Sequence, residues 1–403
     1  MSMPRRGILL LLILTASFAL ADDFTSTLDL KVFVRKQNGE PDLFLGETTP
    51  KSPRTIHILA NHLWYVRPIG PLNEKTLKRL VKEVRRKNIP GIDFSDRWDV
   101  SDDMLPRLKQ IRELRLLLVS RTRISDAGTA SLSTLTHLVD LALPSEITDA
   151  GLHQLKPLKN LMRLTLDHTR IIDPGLLQLR SFPALRTLTI SGPNITDASV
   201  QMLATLPQWV SLDISDTAIT DKGITELTHL NTLETLHVSD QITDTGVQSI
   251  AHMKTLQNLD LSNTQVTAKG VGSLTALPNL RSLTLTNTRI SDETLPLISQ
   301  MKHLRRLELS HTRVTFHGIP LLAALPELQT LSLYYDRFSR DDVLACVQLR
   351  NVRQLKLSGR VMTAAMLDQI RSQLERNEEP TVPLPEHLGT IDPDLPAVDE
   401  IAN

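Results

Sequence analysis

Cysteine is nearly absent. The 403-residue chain has one, Cys346, so no intramolecular disulfide can staple it. Aromatic residues make up only 3 %, while leucine and threonine dominate, as expected where one apolar residue type fills a repeated core. There is no excess of either charge: 45 basic side chains face 45 acidic ones. Nucleic-acid and membrane-surface binders usually carry a basic excess, so the balance argues against both. Also missing are G-x-S-x-G, H-E-x-x-H, C-x-x-C and G-x-x-x-x-G-K-[ST]. With no motif for a nucleophile, a metal or a phosphate, no catalytic residue, metal site or cofactor is expected.

Only the first 21 residues carry a long apolar run. Arg5 and Arg6 precede an apolar stretch from Ile8 to Leu20, and Ala19-Leu20-Ala21 has the A-x-A form of a cleavage site. This pattern predicts a signal peptide over 1–21, cleaved between Ala21 and Asp22. About 13 apolar residues are too few to span a bilayer comfortably. Export without disulfides suits a bacterial secreted or periplasmic protein.

What is present is a repeat. LDLSNTQVT starts at Leu259, LTLTNTRIS at Leu283 and LELSHTRVT at Leu307. The pair Leu164/Leu166 with Thr169 and Ile171 is another unit, and Leu212/Ile214 with Thr217 and Ile219 another. Weaker units reach back to Ile92/Phe94 and forward to Leu355/Leu357, which predicts twelve strands. A period near 24 with L-x-x-L-x-L is the signature of stacked strand–helix units. From residue 89 to 376 the chain resembles the leucine-rich repeat superfamily, in the variant LxxLxLxxTxITDxGLxxL. It is similar to secreted bacterial members, and its ITDxGLxxL half also to F-box substrate receptors, although no F-box-like segment stands ahead of the repeats. The resemblance implies an α/β horseshoe, with a parallel sheet on the concave face and short helices on the convex face.

Alternate residues of a strand share a face. Leu164 and Leu166 therefore point inward, and Thr165 and Asp167 outward. The Asp at 102, 126, 149, 173, 197, 221, 244 and 292 opens each predicted helix, and we read it as a helix cap rather than a calcium ladder. The glycines that follow read as tight packing. Cys346 and Trp209 fall in leucine slots of the core. The residue after the second apolar position runs Ser191, Ser215, Ser239, Ser262, Thr286, Ser310, Tyr334, Ser358, a hydroxyl ladder that suits a solvated sheet.

Two interruptions of the concave face are candidate binding residues. Asp213, His237 and Asp260 share a column beside Ser215, Ser239 and Ser262; a Ser-His-Asp triad or weak metal site is conceivable there, but an open sheet supplies neither a buried acid nor an oxyanion site. Arg306, Glu308, Tyr334, Tyr335 and Lys356 lie near the C-terminal end, and Tyr and Arg are the residues that anchor interfaces.

The flanks differ from the repeats. Residues 22–88 form an N-terminal cap: alternation around Asn38-Gly39 predicts a hairpin, and 73–88 an amphipathic helix. That helix stacks Leu77, Leu80, Val81 and Val84 on one face and Lys75, Lys78, Arg79, Lys82, Arg85, Arg86 and Lys87 on the other, a solvated face or one that meets an acidic partner. Residues 377–403 hold seven acidic residues, five prolines and no Lys or Arg, the composition of a disordered tail. The functional expectation is an exported, non-enzymatic scaffold that recognises a protein or glycan on its concave face. The alternative is a structural or envelope assembly protein; an F-box-like receptor or exported hydrolase fits less well.

Overall fold

The computed structural model describes residues 20–36, 42–51, 54–59, 62–206, 208–334, 340–357 and 360–375. The tail beyond 376, the Asn38-Gly39 turn and most of the expected signal peptide lie outside them. Strands β1 (Leu20–Phe24) and β4 (Ile56–Leu59) pair with each other. Strands β2 (Leu30–Val34) and β3 (Leu43–Thr48) are antiparallel, and β2 adds β5 (Trp64–Pro68) on its other side. Helix α1 (Glu74–Arg86) starts at Asn73, whose side chain accepts from the Thr76 N–H while Thr76 bonds back, a capping box.

Then the solenoid begins. β5 pairs in parallel with β6 (Gly91–Asp93), followed by β7 (Leu116–Leu118), β8 (Asp140–Ala142) and β9 (Arg163–Leu166). Eight further parallel strands run to Gln354–Leu357, and Arg360–Met362 closes the far edge antiparallel to the last of them. Antiparallel strands thus flank the parallel array at both ends, β2 and β3 before it and Arg360–Met362 after it, and pair with the N–H and C=O groups of its outermost strands. On the convex side each repeat contributes a short α-helix or 3-10 turn.

The leucine row is the core. Leu164, Leu188, Leu212, Leu236, Leu259, Leu283, Leu307, Leu331 and Leu355 stand in one register and are at most 2 % exposed. Cys346 and Trp209 are buried with them, and the Trp209 indole donates to the Leu203 carbonyl at 2.9 Å. No unit could bury its own leucines; stacking does so.

Six of the strands, those ahead of Thr122, Thr169, Thr217, Thr264, Thr288 and Thr312, turn by two devices. One residue takes the left-handed conformation, at Arg121, His168, Asp216, Asn263, Asn287 and His311, as also at Asp96, with φ between 50° and 64°. Asn, Asp and His tolerate that region better than most residues. The recurrent Thr follows, and its hydroxyl donates to the carbonyl three residues back, as Thr264 does to Leu261 at 2.6 Å and Thr288 to Leu285 at 2.7 Å. This local bond is the reason for Thr at that position.

The recurrent Asp does more than the sequence reading assigned. The cap of the helices that start at Asp126, Asp149, Asp197, Asp221, Asp244 and Ala268 is the Ser or Thr before them; Thr243, for instance, accepts from the Thr245 N–H. The Asp reaches into the next repeat. Asp221 Oδ1 accepts from the Thr243 N–H at 2.9 Å, and Oδ2 from the Thr243 hydroxyl at 2.5 Å. The same clasp joins Asp102 to Ser125, Asp126 to Thr148, Asp197 to Thr220, Asp244 to Thr267 and Asp292 to Thr315. The glycine column makes room for it, because a Cβ on Gly128, Gly151, Gly175, Gly246 or Gly270 would collide with the Asp carboxylate of the preceding repeat. Exceptions obey the same rule. Where Ala268 replaces the Asp, the glycine slot of the next repeat holds Thr294, buried and with its hydroxyl unpartnered. Where Ser199 replaces the Gly, its hydroxyl donates to Asp173.

Leu261→Ala should cost about 2–5 kcal/mol, as large-to-small core changes do. Thr284→Ala, on the concave face, should cost under about 0.5 kcal/mol. Chemical denaturation of the two variants checks the register, and equal losses would contradict it.

Candidate binding face

The column that held the sequence candidates is continuous. Thr189, Asp213, His237, Asp260, Thr284, Glu308, Ser332 and Lys356 are partners in register across successive strands. Several of its acids have a local role. The carboxylates of Asp213 and Asp260 accept from the backbone N–H two residues on, at 3.1 and 2.8 Å, and from the hydroxyls of Ser215 and Ser262, both at 2.5 Å. Glu308 does the same with Ser310, and Asp93 accepts from the Ser95 N–H at 2.7 Å. Five members of the hydroxyl ladder, Ser191, Ser215, Ser239, Ser262 and Ser310, are thus held in hydrogen bonds within the protein. Ser239, fully buried, donates to the Ile219 carbonyl.

These bonds decide the triad question. The Ser215 hydroxyl is turned to Asp213, not to His237, so no nucleophile–base pair forms there. His237 Nδ1 lies 3.6 Å from Asp213 Oδ2. Burial lowers the imidazole pKa, but the facing Asp213 carboxylate and the charge of Asp260 outweigh it, and the net shift is upward. For Asp213 burial pushes the carboxyl up, and the facing His237 together with the two Ser215 hydrogen bonds overcomes it, so the net shift is downward. Among the described residues, no group of three His, Cys, Asp or Glu is arranged to hold a metal ion.

The C-terminal candidates Arg306, Glu308, Tyr334 and Lys356 lie on or at the end of three consecutive strands. Glu308 and Lys356 share a register row with Ser332 between them, so their strands stand about 10 Å apart. Arg306 and Lys356 are exposed. Tyr334 is half-buried, its ring tilted against His311 at 4.7 Å between centroids. Tyr335 lies outside the described residues.

The other end of the concave face carries what the sequence reading missed. The β7 strand is buried on both faces, with Leu116 and Leu118 packed against Tyr65 and Ala142, and Phe33 and Leu63 against them. The unbroken run Leu116-Leu117-Leu118-Val119 was the available signal, since strands buried on both faces lose the alternation. Arg35, just past β2, donates to Asp140 Oδ2 at 2.8 Å, as does Arg163. In the sheet β2 and β8 are four steps apart, roughly 19 Å if flat, so the N-terminal strands bend over the concave face. Asp140 is fully buried, and its Oδ1 has no partner. Tyr65 donates to Asp42 at 2.7 Å, Arg35 to the same carboxylate at 3.1 Å, and Arg67 to Asp93 at 2.7 Å. Burial and the Asp42 bond push the Tyr65 phenol pKa up.

Beside this overhang lies a groove of about 660 Å³, lined by Tyr65, Arg67, Asp96, Arg121, Asp167 and His168 among others. Burial and the charge of Asp213 raise the Asp167 pKa, and its carboxylate accepts from the Ser191 hydroxyl at 3.3 Å. Two residues beyond Asp96, Trp98 is 71 % exposed. A tryptophan in water is an unusual use of a large apolar surface.

The His237–Asp213 pair sets a pH expectation. A raised imidazole pKa contributes stability that is present below about pH 6.5, the unfolded value, and lost as pH rises through the folded one. The lowered Asp213 pKa contributes above about pH 4 and is lost on acidification. Stability from the pair should therefore be greatest between these limits. In an NMR titration the His237 midpoint should lie above 6.5 and fall in Asp213→Asn; an unchanged midpoint would contradict the pairing.

Comparison with known proteins places the repeat. A leucine-rich repeat family model matches residues 210–227, 229–251 and 252–274. Among solved structures, an internalin, InlF of Listeria monocytogenes, is 23 % identical over 70 % of this chain and 88 % of its own, with a TM-score of 0.47. Internalin C2 of the same organism is 23 % identical over 57 % of this chain and 83 % of its own, at 0.35. The mouse RP105/MD-1 complex gives 19 % identity over 66 % of this chain and 46 % of that one, at 0.40. No curated protein matches. The matched units have the strand and the clasp of those before and after them, and the described repeats have the leucine-rich repeat fold.

Proposed function

We propose that this chain is an exported, non-enzymatic recognition scaffold that takes a protein partner on the concave face, at its N-terminal half. The observation that carries the reading is the groove beside the overhang. It is the part of the concave face where a concavity, a half-buried carboxylate and arginines coincide, with an exposed tryptophan just beyond it. Trp, Tyr and Arg are the residue types that dominate interface energetics. The C-terminal group of Arg306, Glu308, Tyr334 and Lys356 is the second docking candidate, and Tyr334 already spends part of its ring on His311.

Export rests on the N-terminal pattern of the sequence. No helix among the described residues is long and apolar enough to cross a membrane. Cleavage before Asp22 would shorten β1 by two residues and leave the pairs of Asp22, Asp23 and Phe24 with β4. Intact mass of exported protein should correspond to a chain that starts at Asp22; retention of residues 1–21 would contradict cleavage.

A photocrosslinker placed at Ser145, in the groove, should trap the partner, whereas one at His153, exposed on the convex helix Asp149–Gln154, should not. Trp98→Ala should weaken binding of the trapped partner by about 1–2 kcal/mol with stability unchanged, and Tyr334→Ala should weaken it less. Equal trapping at the two sites, or an effect confined to Tyr334→Ala, would contradict the placement.

A further inference from the structure

Helix α1 carries an uncompensated charge. Its apolar face, with Leu77, Leu80, Val81 and Val84, is buried. At 100° per residue, Lys75, Lys78, Arg79, Lys82 and Arg86 fall on one stripe opposite that face, with Arg85 at its margin; all six are exposed. Arg86 bonds Glu83 at 2.9 Å. Glu83 is itself buried and holds Ser26, and Glu74 pairs with Arg107. For Lys75, Lys78, Arg79, Lys82 and Arg85 there is no ion pair among the described residues. The neighbouring hollow adds Lys109 and Arg112, with Glu113 as its acid. Like charges at i and i+4 on a helix repel by a few tenths of a kcal/mol per pair, so the stripe is mildly costly as it stands.

In a chain of zero net charge the matching anions must lie elsewhere. They are concentrated in 377–403, with Glu378, Glu379, Glu386, Asp392, Asp394, Asp399 and Glu400 and no Lys or Arg. We propose that this acidic segment of one copy docks on the basic face of α1 in a second copy. The geometry favours a neighbour over the same chain. Helix α1 sits at the first end of the solenoid, and the segment leaves from the last. Between β6 and Gln354–Leu357 the sheet has eleven steps, about 53 Å. A 27-residue coil has a mean reach of about 29 Å and a full extension of about 90 Å, so reaching its own α1 would stretch the segment well past its mean length. A head of one molecule meeting the tail of the next is a heterologous contact, which builds open chains, or closed rings and reciprocal dimers where the geometry closes.

The test compares the full chain with two full-length variants: one whose seven acids in 377–403 are replaced by their amides, and Lys78→Glu/Lys82→Glu, whose sites are exposed and leave the core intact. In sedimentation velocity at about 0.05 M salt the parent should form concentration-dependent oligomers and both variants should remain monomeric. A labelled peptide of residues 377–403 should bind the amide variant, with affinity reduced about tenfold or more by Lys78→Glu/Lys82→Glu or by 0.5 M salt, where exposed charges are screened. A peptide that does not bind, or binds unaffected by charge reversal, overturns the proposal. So does a monomeric parent that excludes the peptide, because its own segment then covers α1. Binding to phosphatidylserine vesicles without binding to the peptide overturns it in favour of an anionic surface. None of these outcomes bears on the concave groove.

Discussion

The clasp between each Asp and the next repeat's cap is the interaction on which the rest of the structure depends. The leucine row supplies the burial, but a row of leucines is tolerant of sliding. The clasp is not. It asks for a carboxylate at one position, an N–H and a hydroxyl some 23 residues on, and no side chain three residues after that. A missing Cβ, a hydroxyl and a charge are thereby fitted to one another across the repeat boundary. Thr294 shows the converse: without the Asp, a side chain refills the space, and its hydroxyl is stranded.

Because the convex side and the turns are held by these bonds, the concave positions are free of packing duty in most repeats. Residues as different as Thr189, Asp213, His237 and Lys356 occupy one column without disturbing the leucines behind them. That freedom ends at β7 and β8. There the N-terminal strands bend over the sheet, Leu116 and Leu118 become core, and Asp140 is shared by two arginines. The overhang turns a flat face into a groove and places charged groups where they are partly desolvated, which a continuous open sheet does not do.

Much of this was legible in the sequence. The period, the inward leucines, the outward column, the buried Trp209 and Cys346 and the basic face of α1 all follow from spacing, because each depends on residues close in the chain. The clasp was half visible: Asp and Gly recur together, but that Asp221 serves Thr243 rather than its own helix is a matter of stacking. The overhang was hidden for the same reason. Arg35 and Asp140 are 105 residues apart, and only the bend of the sheet brings them together. The serines and acids of the concave column misled in the opposite sense, since local strand-end bonds between Asp213 and Ser215, or Asp260 and Ser262, look like functional pairs when read as letters.

The central claim is that the glycine exists for the neighbour's carboxylate. A double-mutant cycle between Asp221 and Gly246, read by chemical denaturation, tests it most directly. Gly246→Ala alone should destabilise, since the new Cβ displaces the Asp221 carboxylate. In Asp221→Ala the same change should cost far less or stabilise, because Ala is the better helix former by about 1 kcal/mol. An equal cost of Gly246→Ala in the two backgrounds would contradict the account.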